Sequence, residues 1–146
     1  MAERTVFQSC SQKRVLGLGP NASVREAAGV MTRANVGSVL VLEPPATLLG
    51  IVTERDLMTR VLAKGLDPEK TTVREVMTPK PMCVPPETLV SDAVVIMIER
   101  GFRHLPIVGP NSKIMGVFSV RDALPREIGS ALSQTEFNEQ VNDALG

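Results

Sequence analysis

The chain has 146 residues, 43% of them apolar and 22% charged. That is the balance of a globular protein, long enough for one ordinary domain or two very small ones sharing a core. Sixteen Lys and Arg offset sixteen Asp and Glu, and there are four Phe but no Trp or Tyr, which argues against a nucleic-acid groove or an anionic membrane surface as partner.

The elements read as follows in chain order. Residues 1–13 are a lead-in. VLGL (15–18) predicts a short strand and SVREAAGVMTRA (23–34) a helix. GSVLVLE (37–43) and LLGIVT (48–53) predict strands joined by the turn EPPAT, and ERDLMTRVLAKG (54–65) a helix closed by Gly65. LDPEKTTVREVMTPKP then links to a second series. MCV (82–84) predicts a strand ended by Pro85 and Pro86, and TLVSDAVVIMIER (88–100) a helix followed by Gly101. FRHLPIV (102–108) predicts a strand that Pro106 marks as an edge or a bulge. GPNS is turn chemistry, KIMGVFS (113–119) a strand, and a helix begins at Val120. Pro125 falls at the sixth position of that helix, where it lacks an N–H and clashes with the Arg121 carbonyl, so the helix should break or restart there.

The two series are one pattern. At an offset of 66 and without a gap, Pro20 meets Pro86, Val24 meets Val90, Ala27 meets Ala93 and Met31 meets Met97. Val41 meets Ile107, Pro44 meets Pro110, and Gly50, Arg55 and Asp56 meet Gly116, Arg121 and Asp122. Two copies are too few for a solenoid. Copies of about sixty residues are marginal alone, so the repeats, 14–66 and 67–125, are expected to bury their sheets against each other as one folding unit. The recurring methionines read as flexible core filling. Residues 126–146 form an amphipathic tail whose apolar positions, Ile128, Leu132, Phe137, Val141 and Leu145, should pack on the module or on a partner subunit.

GIVTERDL (50–57) and GVFSVRDA (116–123) carry the chemistry. A hydroxyl before a helix with an acid at the third helical position is a capping box, so Thr53 with Asp56, and Ser119 with Asp122, read first as caps. The same junction suits a ligand. A helix N-terminus favours an anion, a carboxylate accepts from both hydroxyls of a ribose, and Arg55 and Arg121 could add charge for a phosphate or simply lie on a solvated face. Spacing does not separate the two readings. Cys10 and Cys83 have no metal or redox spacing and read as reduced thiols; with His104 the lone histidine, no zinc site assembles. There is no nucleophile with a paired base and no GxxxxGK loop, and GLGPNAS has the wrong spacing, so no enzyme is expected. Apolar runs fall short of the roughly 20 residues of a membrane span. The start, MAERTVFQSC, lacks the features of a secretory signal, so a cytoplasmic protein is expected.

Gly-apolar-x-Thr/Ser-x-x-Asp after an LPIV-type strand, present twice, resembles the CBS domain, and the tandem pair resembles a Bateman module over residues 14–124. VMTPKPMCVPPETLVSDAVVIMIERGFRHLPIV followed by IMGVFSVRD fits the family's running pattern. The resemblance implies an α/β fold of two β-α-β-β-α repeats packed sheet to sheet in a pseudo-twofold pair, helices outside. It implies clefts for AMP, ADP, ATP, sometimes NAD or S-adenosylmethionine, with no cofactor required. Thr53, Asp56, Ser119 and Asp122 would hold ribose and phosphate, Arg103 and His104 phosphate, and Cys83, Val84, Gly17, Leu18 and Pro106 would surround adenine. Shifted back by 66, Arg103 and His104 fall on Gly37 and Ser38, so the second repeat should hold phosphate better. His104 also reads as a buried core histidine, since it alternates with apolar neighbours. The implied assembly is a homodimer acting on a regulated protein. The competing reading is a structural dimerisation module whose motifs only cap helices.

Overall fold

The computed structural model describes residues 3–145. In chain order the elements are α1 (Val6–Ser9), β1 (Gly17–Leu18), α2 (Val24–Ala34), β2 (Ser38–Glu43), β3 (Thr47–Thr53), α3 (Glu54–Asp56), α4 (Val73–Val76), β4 (Thr78–Pro79), α5 (Val90–Arg100), β5 (His104–Val108), β6 (Ile114–Ser119) and α6 (Pro125–Leu145). The chain divides into two compact units, one of residues 15–81 and the other of residues 3–14 with 82–145.

In the unit of residues 15–81, β1, β2, β3 and β4 form one sheet in that order. α2 starts where Ser23 accepts from the Glu26 amide at 3.1 Å, buries Val24, Ala27 and Met31 on one face, and ends where Asn35 turns left-handed at φ 54°. That face and Val73 and Val76 of α4 pack on Val39, Val41 and Val52, so both helices cover one side of the sheet. Strand alternation puts Ser38, Leu40, Ile51 and Thr53 on the other side. α3 runs on into a π-helical stretch, Leu57–Leu62, where the Ala63 amide reaches back to Met58 O at 2.9 Å. The single regular helix expected over 54–65 is therefore widened in its second half.

In the other unit, β5 and β6 pair antiparallel, and single bridges flank them: Val84 with Ile107 in parallel, Gln12 with Val117 antiparallel. The strand expected at 82–84 is reduced to the one bridge, because Pro85 and Pro86 end the ladder. α5 buries Val90, Ala93, Val94 and Met97 against Leu105, Ile107 and Phe118, with Val6, Cys10 and Ala131 in the same core. Its C-cap Gly101 is left-handed at φ 75°. Met31 and Met97 both lie in these cores, as core fillers would.

The pairing repeats as faithfully as the sequence. Both hairpins carry a bulge at the same place, between Val41 and Leu42 and between Ile107 and Val108. β4 pairs Thr78 with Ile51, and Gln12 bridges Val117 at the same offset. The lead-in before each repeat thus pairs with the other repeat's hairpin. Residues 67–81 pack with the first repeat and residues 3–14 with the second. Two short helices in these lead-ins, α1 and α4, lay outside the sequence reading. Both begin with capping boxes, Thr5 with Gln8 and Thr72 with Glu75.

After β6 a 3-10 turn, Val120–Asp122, replaces the start of a helix, and α6 begins at Pro125. The restart expected at that proline is what forms. α6 packs against α5. Its buried residues are Glu127, Ala131 and Thr135, while Leu132, Phe137, Val141 and Leu145 are exposed. Of the apolar tail positions expected to pack, only Ile128 joins the core. Ala131 joins the core that α5 helps to form, and Asn138 Nδ2 donates to Glu99 Oε1 at 3.0 Å.

Candidate functional site

At the end of β3 the backbone leaves the sheet at Thr53, whose extended φ and ψ make it the N-cap of α3. The Thr53 amide donates to Asp56 Oδ2 at 2.9 Å, and the Asp56 amide donates to Thr53 Oγ1 at 3.3 Å. At the end of β6 the Ser119 amide donates to Asp122 Oδ2 at 2.9 Å, and the Arg121 amide donates to Ser119 Oγ at 3.3 Å. Both motifs therefore form capping boxes. Thr53→Ala is expected to cost about 1 kcal/mol through the lost cap alone, measured as a shift in the denaturation midpoint.

The outer carboxylate oxygens differ. Asp56 is 8% exposed, and its Oδ1 faces Arg60 Nε at 3.7 Å. Arg60 spends its Nη1 on the Val76 and Met77 carbonyls, at 2.8 and 3.2 Å. Asp122 Oδ1 instead accepts from Ser11 Oγ at 2.8 Å and from the Ser11 amide at 3.3 Å.

Around each motif, strand pairing assembles the other predicted residues. His104 sits opposite Ser119, and the Val120 amide donates to Arg103 O at 3.1 Å. Arg103, His104, Ser119, Arg121 and Asp122 therefore meet at one end of the β5–β6 ladder, with Arg103 and Arg121 exposed and His104 half-buried. Val84 bridges Ile107, three residues along β5 from His104, or roughly 10 Å at strand rise. Cys83 precedes it, and Pro106 accepts the Val84 amide at 3.0 Å. These three lie along the strand from the motif rather than against it. In the first repeat Ser38 sits opposite Thr53, and the Glu54 amide donates to Gly37 O at 3.0 Å. Arg55 is exposed there. Gly17 and Leu18 pair with Leu40 and Val41, two to three residues along β2 from Ser38.

In the sequence Ser38 marks only the place where a cation is missing. It is 0% exposed, and its Oγ has no hydrogen-bond partner. A buried hydroxyl without a partner costs about 1–3 kcal/mol, and it shares the sheet face of Thr53. The signal that could have found it was its place at the 66 offset from His104.

The recurring glycine of the motif is structural. A Cβ on Gly50 would stand 2.8 Å from the Thr78 carbonyl, and one on Gly116 2.6 Å from the Gln12 carbonyl. Each glycine lets a lead-in strand close on the hairpin. Burial pushes the Cys10 and Cys83 thiols up, so neither is poised as a nucleophile. Among the described residues no cluster of His, Cys, Asp or Glu could hold a metal ion, and no helix is long and apolar enough to cross a membrane.

The family model for the CBS domain matches twice, at residues 9–63 and 73–127. The chain belongs to the CBS-domain family. Tandem CBS domains are regulatory modules rather than a catalytic family. An uncharacterized 17.7 kDa protein of Acidianus ambivalens is 38% identical over 118 residues, 81% of this chain and 70% of that protein. A CBS domain-containing protein of Arabidopsis thaliana is 36% identical over 140 residues, 90% of this chain but 26% of its own length. The chain spans 60% of a Methanopyrus kandleri relative and 18% of one from Schizosaccharomyces pombe. Among solved structures, a putative signal-transduction protein with CBS domains from Burkholderia ambifaria superposes with a TM-score of 0.74 at 28% identity, over 80% of this chain and 86% of that one. A CBS domain protein from Pyrobaculum aerophilum, complexed with AMP, gives 0.77 at 24% identity, over 90% and 99%. The fold is the mixed α/β fold of a CBS pair.

Proposed function

We propose that this CBS pair senses an adenosine-containing nucleotide, AMP, ADP, ATP or NAD, and transmits its binding to a regulated protein through a change in conformation or in homodimer geometry. One observation carries this reading. Ser38 offers a buried hydroxyl with no partner, directly opposite Thr53, beside an Asp56 carboxylate whose outer oxygen has only the distant Arg60 guanidinium. A ribose diol supplies the missing partners, since its hydroxyls donate to a carboxylate and accept from a serine. Arg55 in the first turn supplies charge for a phosphate. The second motif has Arg103, His104 and Arg121 at the same end of its ladder. The AMP complex of the Pyrobaculum aerophilum protein, which shares the fold, supports the ligand class. The ligand shifts the module only by its differential affinity for two states.

Calorimetric titration with AMP, ADP, ATP, NAD and S-adenosylmethionine tests the reading. One of them should bind at micromolar strength, and Asp56→Ala should weaken that binding at least tenfold. Both motifs also form complete caps, which favours the dimerisation module as the second reading. If no nucleotide binds, and Asp56→Ala changes only the melting temperature, that second reading replaces the first.

A further inference from the structure

The two motifs share the capping-box pairing of amide and carboxylate and differ in what holds the outer carboxylate oxygen. Asp122 Oδ1, the counterpart of the Asp56 oxygen that faces only the Arg60 guanidinium at 3.7 Å, is held by the hydroxyl and the amide of Ser11. Ser11 belongs to the lead-in, which is anchored independently. Arg4 pairs with Glu127 at 2.7 Å, Val6 and Cys10 are buried in the core, and Gln12 bridges Val117. At the 66 offset the residue in the first repeat is Met77, which brings no hydroxyl to Asp56. A serine hydroxyl and a backbone amide on one carboxylate oxygen present the donors that a sugar diol presents.

We propose that Ser11 is an intramolecular competitor for the second motif, occupying the acceptor on Asp122 that a nucleoside hydroxyl would use. It makes the two motifs unequal, the first carboxylate facing only a distant guanidinium and the second held by Ser11, although the second has Arg103, His104 and Arg121 at its end of the ladder. Ser11 is exposed and its anchors lie on either side of it, so its bonds exchange for a ligand's without unfolding the lead-in. A ligand at Asp122 must displace Ser11, which ties occupancy of that motif to the position of residues 10–13. This inference rests on the nucleotide reading above.

The test is calorimetric titration of AMP into the wild-type protein, Ser11→Ala, Asp122→Ala and the double variant. Ser11→Ala should tighten the binding step that Asp122→Ala abolishes by about three- to tenfold, the value of one net hydrogen bond. It should leave the Asp56-dependent step unchanged. Amide exchange at Ser11 should quicken as AMP fills the second motif. If AMP binds but Ser11→Ala neither reveals nor tightens an Asp122-dependent step, the competitor role is wrong and the nucleotide reading stands. If AMP binds none of the four proteins, and the other nucleotides fail as well, both fall together.

Discussion

Arg4→Ala is expected to lower the unfolding free energy by about 2–3 kcal/mol, the cost of removing hydrogen bonds to a charged, buried partner. Arg4 grips Glu127 with both arms of its guanidinium, Nε to Oε2 at 3.1 Å and Nη2 to Oε1 at 2.7 Å, and Nη2 also reaches the Asp122 carbonyl at 3.0 Å. The Glu127 side chain is 9% exposed, and Oε1 also accepts the Leu124 amide at 2.7 Å. The pair is therefore not an exposed surface bridge of small value. Without Arg4, a buried carboxylate keeps one backbone donor and only the weaker charge of Arg126. Arg4→Lys should recover part of the loss, keeping the charge but not the two-armed geometry.

The same pair gives a pH signature. The hydrogen bond from Arg4 is the largest influence on Glu127 and holds its carboxyl below the usual carboxylate range, against the opposing effect of burial. A carboxyl depressed in the folded state adds stability above its unfolded value, and that stability is lost as pH falls through the folded value. The gap in denaturant midpoint between wild type and Arg4→Ala should be full at pH 7 and close progressively below about pH 4.5. A gap that does not change with pH would mean that Arg4 acts by packing instead.

Gly116→Ala should cost about 2 kcal/mol or more, from two sources that add. The residue sits at φ +156°, which side-chain-bearing residues rarely adopt, and its Cβ would stand 2.6 Å from the Gln12 carbonyl oxygen. Strain of this kind costs on the order of 1–3 kcal/mol, and a backbone carbonyl does not yield as a flexible side chain does. Gly50→Ala meets the Thr78 carbonyl at 2.8 Å and the Met77 sulfur at 2.5 Å, without the unusual φ, so it should cost less. Gly19→Ala meets nothing within 4 Å and should be nearly neutral. Urea denaturation of the three variants would establish the order. If Gly116→Ala is as mild as Gly19→Ala, the lead-in does not pair with β6 as described. Because the clash pushes residues 12 and 13 off the hairpin, Gly116→Ala should also release Ser11 from Asp122.

Much of the fold was legible because it follows from local rules written twice. The spacing of Val24, Ala27 and Met31, and of Val90, Ala93 and Met97, names the buried faces of α2 and α5. Pro125 announces where the last helix restarts. The Thr-x-x-Gln and Thr-x-x-Glu boxes of α1 and α4 obey the same capping rule. The exposed Leu132 and Phe137 show the limit of such reading. Helical spacing tells which residues share a face, but not whether a neighbouring element reaches that face.

The sequence alone determined the repeat, its element order, the paired hydroxyl-and-acid motifs and the resemblance to the CBS family. These depend on residues near one another in the chain, where capping, turn chemistry and periodicity operate. Tertiary structure decided the rest. It pairs each lead-in with the other repeat's hairpin, which is why both motifs begin with glycine. It sets Ser38 opposite Thr53 with an unsatisfied hydroxyl, and brings Arg4 to Glu127 and Ser11 to Asp122 across more than a hundred residues of chain. No local pattern encodes such contacts. They follow from strand register and from which surfaces are buried together, and that is where two motifs with the same spacing become chemically different.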